Sequence, residues 1–439
     1  MHRTMAGLAV AIAAMMAAPL AAADNAAARC DLSPAVKPGA LSRVDLTLEL
    51  NGELQVRRGE KVEPVKITVA AAMKYDEKWL PTSTPGVLHS IRHYDRAAAD
   101  IKIGEGTIKP TLRPERSLVG ARLEGSLQTL FSPAGPLTHD ELDLIDTPGS
   151  SLLLDQLLPG KTVATGDAWK HSDNVLCALL GLEKVKHSNV ESKLLEIHGR
   201  LARMEMSGRV EGTFGGASTE IECKGRYQFD LDARRITWIG LLIKEQRKPG
   251  EVVSGIDDVA HLQAQITPLD ESTALSDRAL VEVRLEPSPE NVVLSHQPAN
   301  SAWTLLHDRK WYLHSDEGNT AVFRLLDEGQ YVAQCNLSAV LPPAAGQKGD
   351  LDQFKDEVRQ ALGKFFEDFT AADESTSTAG YKVYRVAVKG TVSDLPVQWI
   401  YYQLRDGREH QVVFAFTVNR QSLEQLRGAD RKLIDGLRF

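Results

Sequence analysis

The first regular pattern in the sequence is an alternation of apolar and polar residues. It occupies residues 44–50 and resumes at 54–56 and 65–75, with Asn51-Gly52 after the first stretch. A period of two is typical of a β-strand that buries one face, and Asn-Gly is a strong signal of a two-residue hairpin turn. We therefore predict a strand pair here, with a turn at Asn51-Gly52.

The same alternation predicts many antiparallel strands in the first two thirds of the chain, interrupted by one helical insert. The further predicted strands are 87–94, 100–103, 117–123, 127–131, 185–197, 201–211, 218–231, 235–246 and 259–267. The insert, residues 138–180, begins with a capping box of Thr138 and Glu141 and contains two more helical patterns, at 150–158 and 172–180. Strands in series with grouped helices predict an α+β domain at 42–268, built on one large antiparallel sheet that could curve into a half-barrel.

A second domain is predicted after a polar, proline-containing linker at residues 269–298. The predicted elements of residues 299–439 are strands at 303–306, 310–314, 320–326 and 331–337, a long amphipathic helix at 351–369, strands at 381–388, 397–405 and 411–418, and a closing helix at 423–437. This order predicts a second, smaller α+β domain, an antiparallel sheet flanked by helices.

Residues 1–23 have the three parts of an export signal. His2 and Arg3 precede an apolar run at 7–20, and Ala21-Ala22-Ala23 supplies the small residues of a cleavage site. The run is shorter than the roughly 20 residues that span a bilayer, so a retained anchor is the less favoured alternative. We expect cleavage after Ala23, an N-terminal tail at 24–41, a periplasmic or extracellular location, and no membrane-spanning segment in the mature protein.

The net charge limits the kinds of partner that we expect, and the cysteines raise the question of disulfides. Loss of Arg3 with the signal takes the formal net charge from −8 to −9, and nucleic-acid binding requires a basic face, so we expect no nucleic-acid partner. Cys30, Cys177, Cys223 and Cys335 are widely spaced, without a CxxC pair. Export permits disulfides, but four cysteines allow three pairings, so both disulfides and buried free thiols stay open.

No residue pattern in the sequence predicts a metal, a cofactor or a catalytic centre. His89 and His93 lie four residues apart on a predicted strand, roughly 13 Å, too far to share an ion. Neither G-x-S-x-G nor H-E-x-x-H is present. A triad assembled from distant residues would leave no such motif. We predict a protein without enzymatic activity and without cofactors, and keep a hydrolase as the least favoured alternative.

Residues 299–439 resemble the PsbP-like domains. The resemblance rests on the predicted long helix, on residues 399–404 (Trp-Ile-Tyr-Tyr-Gln-Leu), on the strand at 411–417 and on the ending at 429–439. PsbP-like domains are antiparallel sheets flanked by helices, and they mostly serve as non-catalytic binding or assembly factors. The resemblance implies the same fold and a docking role, and it implies no site residues.

Residues 42–268 resemble exported bacterial β-rich families of unknown function. The similar segment is residues 158–161, with Pro159, followed by Gly166-Asp167-Ala168-Trp169. The remaining strands are loosely similar to the half-barrel of periplasmic lipoprotein carriers, whose concave face holds acyl chains. That similarity implies an alternative function, a carrier of an apolar ligand or lipid in the first domain.

Four residues are candidates for ligand contact: Trp79, Trp169, Trp238 and Leu242. The last two belong to a strand with large apolar residues on both faces, so its second face needs cover from the insert, the second domain or a ligand, and we favour the chain's own helices. Trp79 and Trp169 lie near predicted turns, where a ring can cap a cavity or fill a packing gap. We predict a binding or scaffold protein of the cell envelope that docks a protein partner.

Overall fold

The computed structural model describes residues 28–58, 61–299, 301–317, 320–340, 349–406 and 410–439. The predicted export signal at 1–23 lies outside the described residues. Within the predicted tail, a short strand at Arg29–Asp31 pairs with Thr162–Ala164 of the insert.

Strands make up most of the described structure. The first fifteen are β1 (Arg29–Asp31), β2 (Leu41–Arg58), β3 (Lys61–Trp79), β4 (Val87–Ile103), β5 (Gly106–Ile108), β6 (Leu118–Glu124), β7 (Leu127–Phe131), β8 (Thr162–Ala164), β9 (Ala168–Lys170), β10 (Lys184–Ser188), β11 (Glu191–His198), β12 (Leu201–Phe214), β13 (Ala217–Asp230), β14 (Arg235–Arg247) and β15 (Gly255–Leu269). The others are β16 (Leu294–His296), β17 (Thr304–His307), β18 (Trp311–Glu317), β19 (Thr320–Asp327), β20 (Gln330–Val340), β21 (Asp368–Thr376), β22 (Lys382–Val392), β23 (Leu395–Arg405), β24 (Gln411–Asn419) and β25 (Leu437–Arg438).

The helices are short. They are α1 (His139–Ile145), α2 (Asp173–Leu180), α3 (Asp277–Leu280), α4 (Leu351–Leu362), α5 (Leu423–Leu426) and α6 (Ala429–Asp435), with single 3-10 turns at Pro114–Arg116, Leu154–Leu157, Gly363–Phe365 and Arg420–Ser422. The predicted capping box is confirmed: Thr138 accepts from the backbone of Glu141, and the Glu141 carboxylate accepts from the backbone of Thr138.

The predicted α+β class is wrong: the protein is mostly β. Strands hold 56% of the described residues and helices 14%. The predicted helix at 351–369 ends at Leu362, because Gly363 has φ +52°, and β21 follows it. The predicted closing helix at 423–437 is broken between α5 and α6 by Arg427 and Gly428, which have φ +45° and +78°.

One large antiparallel sheet forms the first part of the molecule. Its 13 strands follow the order β7-β6-β4-β3-β2-β15-β14-β13-β12-β11-β9, with β10 beside β12 and β5 beside β4. Apart from the edge strand β9, residues 137–182 pack on one face, which we call the inward face. Leu152, Leu153, Leu154 and Leu157 of this insert are at most 1% exposed and share a core with side chains of the sheet. The opposite face is called the outer face below.

A second antiparallel sheet, β18-β19-β20-β24-β23-β22-β21, lies in the last third of the chain. Its two faces carry separate core clusters, one with α5 and α6 and one with α4. The predicted linker at 269–298 includes α3 and β16. Leu275 and Leu280 pack against Leu80 and Ile91 of the first part, and Leu294 bridges to Leu137.

The four cysteines are buried and unpaired in the structure. Burial raises the pKa of each thiol, most strongly at Cys335. Of the two alternatives that the sequence left open, the structure has free thiols.

Candidate functional site

The alternation of β14 sends apolar side chains to both faces of the large sheet. Ile239, Leu241 and Ile243 are at most 4% exposed and belong to the core beneath the insert. Trp238 and Leu242 lie on the outer face and are only partly buried. Within the described residues they belong to none of the core clusters. The cover of this second face by the chain's own helices, which we favoured, is therefore not found among the described residues.

The indole ring of Trp238 lies along its strand over Gly240. A Cβ at Gly240 would come within 2.9 Å of Trp238 Cη2 and 3.2 Å of Cζ2. Any side chain at position 240 would therefore meet the ring, and glycine in a strand commonly marks such a close approach. Leu242, the next residue on the same face, continues the apolar surface.

Polar side chains border this surface on the neighbouring strands. The register aligns Gly240 with Arg226 of β13 and Gln263 of β15, and Leu242 with Lys224 and His261. The strands beyond these add four more polar residues: Glu205 and Ser207 of β12, and Thr47 and Glu49 of β2. Together they line an open groove of about 690 Å³, which we call the Trp238 groove.

A row of carboxylates crosses the same face beyond the groove. The register aligns Glu211, Glu220, Gln246, Asp257 and Glu53 on β12, β13, β14, β15 and β2. We call the four carboxylates the acidic row. Glu211 stands directly opposite Glu220, and Asp257 directly opposite Glu53, so the row contains two cross-strand pairs of like charge. Part of it lines a second groove of about 370 Å³.

The charges between the Trp238 groove and the acidic row alternate in sign. Arg209, Glu222 and Lys244 stand side by side on β12, β13 and β14. Lys224 lies 3.2 Å from Glu222, and this hydrogen bond and charge lower the pKa of the partly exposed Glu222 carboxyl. The charges of Arg209, Glu222 and Lys244 sum to +1, so the excess negative charge of this face lies in the acidic row.

The other two sequence candidates lie elsewhere and belong to the protein's interior. Trp79, at the end of β3, is 8% exposed and packs in the core of the large sheet. Trp169, on β9, is partly buried, and its Nε1 donates to the carbonyl of Leu157 at 2.8 Å. This hydrogen bond joins the Gly-Asp-x-Trp segment to the 3-10 turn at Leu154–Leu157 within the insert. The structure brings Trp238 and Leu242 together and separates both from Trp79 and Trp169.

The inward face holds a pair of carboxyl groups at the far end of β14. Glu245 stands directly opposite Asp258 of β15. Burial, and then the charge of Glu245, raise the pKa of Asp258 to about 7, and burial also raises the pKa of Glu245. Arg247 Nε lies 3.4 Å from Glu245. This pair is a structural acid cluster under the sheet, apart from the outer groove.

One serine and one histidine form a hydrogen-bonded pair. His171 Nε2 and Ser192 Oγ are 2.8 Å apart. Ser192 is fully buried, and burial lowers the pKa of His171 to about 4. No ion pair joins His171 to a carboxylate in the part of the chain that the structure describes. A nucleophilic serine needs access to substrate and an oriented base, which this pair does not have.

The described residues contain neither a candidate metal site nor a helix that could cross a membrane. Within the part of the chain that the structure describes, no group of three or more His, Cys, Asp or Glu residues could hold a metal ion. Among these same residues, no helix has both the length and the apolar character needed to cross a membrane.

Comparison with known proteins gives partial likenesses to solved structures. No protein-family model and no curated protein matches the sequence. A cyanobacterial PsbP from Synechocystis sp. PCC 6803 matches at 12% identity and a TM-score of 0.27, over 33% of this chain and 91% of that one. A protein of unknown function from Pseudomonas aeruginosa matches at 10% identity and a TM-score of 0.24, over 33% of this chain and 94% of that one.

An immunity protein of T6SS from Pseudomonas aeruginosa, complexed with a peptide, is also similar. It matches at 11% identity and a TM-score of 0.21, over 55% of this chain and 96% of that one. None of the three likenesses reaches a TM-score of 0.5, so no function is transferred from them. A PsbP protein is among these partial likenesses, and it covers a third of this chain.

Proposed function

We propose that the chain is a non-catalytic binding protein of the cell envelope, exported by the signal at 1–23, which docks a protein partner on the outer face of its large sheet. The observation that supports this is the Trp238 groove. A tryptophan and a leucine lie partly exposed on the outer face of the sheet, and Ile239 and Leu241, which lie between them on β14, pack in the core of the inward face. Trp and Arg are enriched among the residues that dominate binding energy in protein interfaces, and Arg226 borders the groove.

The shape of the groove favours a macromolecular partner over a small ligand. Sites for small molecules usually bury 70–90% of the ligand's surface in a concave pocket. The Trp238 groove lies on the open face of a sheet, with flanking polar side chains from four other strands. An apolar centre with a polar rim is the usual anatomy of a protein–protein interface.

A carrier of an apolar ligand is the second candidate. It is favoured by exposed aliphatic side chains at one end of the inward face: Ile103, opposite the buried Ile67, is 37% exposed, and Ile108, opposite Ile101, is 55% exposed. The middle of the inward face, however, is filled by the leucines of the insert. Native mass spectrometry of residues 24–439 tests this candidate, since a carrier retains a lipid-sized adduct that departs on mild activation.

Site-specific crosslinking in the producing cells tests the docking proposal. A photoreactive phenylalanine analogue replaces Leu242, and the matched control carries it at Leu127, an apolar residue on β7 that is 68% exposed. We expect one protein adduct of defined mass at position 242, its loss on adding Trp238→Ala, and no such adduct at position 127. Equal crosslinking at both positions, or none at 242, would contradict the proposal.

A further inference from the structure

We infer that the partner binds with an apolar side chain in the Trp238 groove and with lysine or arginine side chains on the acidic row. This inference rests on the proposed docking function and adds the chemistry of the partner. It is carried by the relative positions of Leu242 and Gln246 on β14, which mark the apolar surface and the acidic row.

The acidic row is electrostatically unfavourable in the isolated protein. Like charges directly opposite each other on neighbouring strands destabilise a sheet. Glu211 and Glu220 form such a pair. Among the described residues no ion pair is formed by Glu211, Glu220 or Asp257, although Gln246 donates to Asp257 Oδ2 at 3.4 Å. A cationic side chain between Glu211 and Glu220 would interact with both carboxylates at once.

The Trp238 groove, unlike the acidic row, can bind an apolar side chain of the partner. Its own charges balance, since Lys224 and Arg226 face Glu49 and Glu205 across the apolar surface. Binding energy in interfaces is concentrated in desolvated aromatic and apolar centres, while charges at the rim set the rate of association and the choice of partner. We therefore assign affinity to Trp238 and Leu242 and selection of a basic partner to the acidic row.

The distance between the Trp238 groove and the acidic row determines the spacing of the apolar and basic residues in the partner. Leu242 and Gln246 are four residues apart on one face of a strand, which corresponds to about 13 Å. An extended segment that runs along β14 spans this distance with the same number of residues. The partner segment then has an apolar residue and, three to five positions away, one or two lysines or arginines.

Selection from a peptide library tests this inference. Random twelve-residue peptides displayed on phage are selected on the full mature chain, and a parallel selection uses the Trp238→Ala variant. We expect enrichment of peptides with an apolar residue and a basic residue at the stated spacing. The dissociation constants of synthetic copies should rise at least tenfold with Trp238→Ala and about three- to tenfold with the Glu220→Gln and Asp257→Asn double variant.

Salt and two controls complete the test. The fold-change caused by the double variant should shrink at high salt, because surface charges are screened there. Leu127→Ala, at an exposed apolar residue of the edge strand β7, and Glu424→Gln, at an exposed acidic residue of α5, lie outside the Trp238 groove and the acidic row and should bind as the unchanged protein does.

Different results would contradict the docking function and the basic character of the partner. If no enriched peptide distinguishes the unchanged chain from Trp238→Ala, the docking function itself is wrong. If the peptides depend on Trp238 but lack basic residues, or bind the double variant equally well, docking stands and the basic partner is overturned.

Discussion

Glu77 and Arg92 form an ion pair that solvent does not reach. Arg92 Nε donates to Glu77 Oε1 at 2.8 Å, and the two side chains are 2% and 0% exposed. Ser90 donates to the same carboxylate oxygen, and Arg92 Nη2 donates to Ser150 of the insert at 2.9 Å. Burial alone would raise the pKa of Glu77, but the charge and hydrogen bond of Arg92 lower it. The pair therefore joins β3 and β4 to the insert as an ionised unit.

Removal of one partner of this pair should be strongly destabilising. Arg92→Met leaves the Glu77 carboxylate buried without a counter-ion, a change that costs about 3–5 kcal/mol of unfolding free energy. Urea unfolding of the mature chain, followed by far-UV circular dichroism, measures it.

The control uses an ion pair of the same type on the surface. Arg203 and Glu196 are 2.7 Å apart and 45% and 55% exposed, so Arg203→Met should cost no more than about 1 kcal/mol. Equal losses in the two variants would mean that the burial of Glu77 and Arg92 carries no special cost. Adding Glu77→Leu to Arg92→Met should restore much of the stability, since it removes the unpaired charge.

Asp258 should make stability depend on pH in a defined direction. Its pKa in the folded chain, about 7, lies above the value of about 4 expected in the unfolded chain. Between these pH values the folded chain keeps a proton that the unfolded chain has lost, so the contribution of Asp258 to stability falls as pH rises from about 4 to about 7. Asp258→Asn should therefore raise Tm by about 2–4 °C at pH 8 and leave it nearly unchanged at pH 4.

Differential scanning calorimetry at the two pH values checks this dependence. The exposed carboxyl of Asp352, at the start of α4, serves as the control, and Asp352→Asn should produce no comparable rise at pH 8. A larger gain for Asp258→Asn at pH 4 than at pH 8 would show that the sign of the argument is wrong.

The strands of the large sheet could be predicted because alternation is a local signal, whereas their ends could not. The alternation at residues 44–50 marked β2 correctly, but the predicted turn at Asn51-Gly52 is wrong, because β2 continues to Arg58. Gly52 pairs with Asp258, and a Cβ there would overlap the backbone of Asp257. The glycine allows close approach of β15 and does not form a turn.

The helices were overestimated for a related reason. A helical spacing of apolar residues persists through 351–369, but it does not register the positive φ of Gly363 or the pairing of β21 with β22. Strand pairing beyond Gly363 satisfies backbone hydrogen bonds that an extended helix would otherwise make. The helical share of the chain was therefore set too high.

Only the residues of the candidate site that lie on a single strand, β14, could be predicted from the sequence. The doubly apolar pattern of β14 identified Trp238 and Leu242, which both lie in the groove. Their neighbours Arg226 and Lys224, and the acidic row, depend on the register of five strands, and a single strand's alternation contains no information on register. Trp79 and Trp169 were chosen for their nearness to turns, a signal that does not separate a ligand-facing ring from a core ring.

Gly240→Ala should displace the Trp238 ring without unfolding the sheet. The added methyl group would lie 2.9 Å from Trp238 Cη2, whereas a strand backbone tolerates alanine at least as well as glycine. With 5-fluorotryptophan, the six tryptophans give six fluorine resonances, and Trp238→Phe assigns the one of interest. We expect that resonance to shift in Gly240→Ala, with a change in unfolding free energy below about 1 kcal/mol.

The matched control for this substitution is Gly106→Ala on β5, where the added Cβ would meet only a backbone oxygen at 3.4 Å. It should leave the Trp238 resonance in place. An unchanged Trp238 resonance in Gly240→Ala would show that the ring does not lie over Gly240 in solution.

Glu220→Gln should stabilise the protein at low ionic strength. It removes one charge from the cross-strand pair with Glu211, and relief of a like-charge pair on a sheet amounts to about 0.2–1 kcal/mol. The gain should shrink in 1 M salt, where the Debye length is about 3 Å. The control is Glu222→Gln on the same strand, which breaks the contact with Lys224 at 3.2 Å and should bring no gain. Urea unfolding at low salt and in 1 M salt measures the change in unfolding free energy. A Glu220→Gln variant that is less stable than the unchanged protein, or that gains as much stability in high salt as in low salt, would contradict the prediction. Either result would mean that the acidic row is not destabilised by repulsion between its charges.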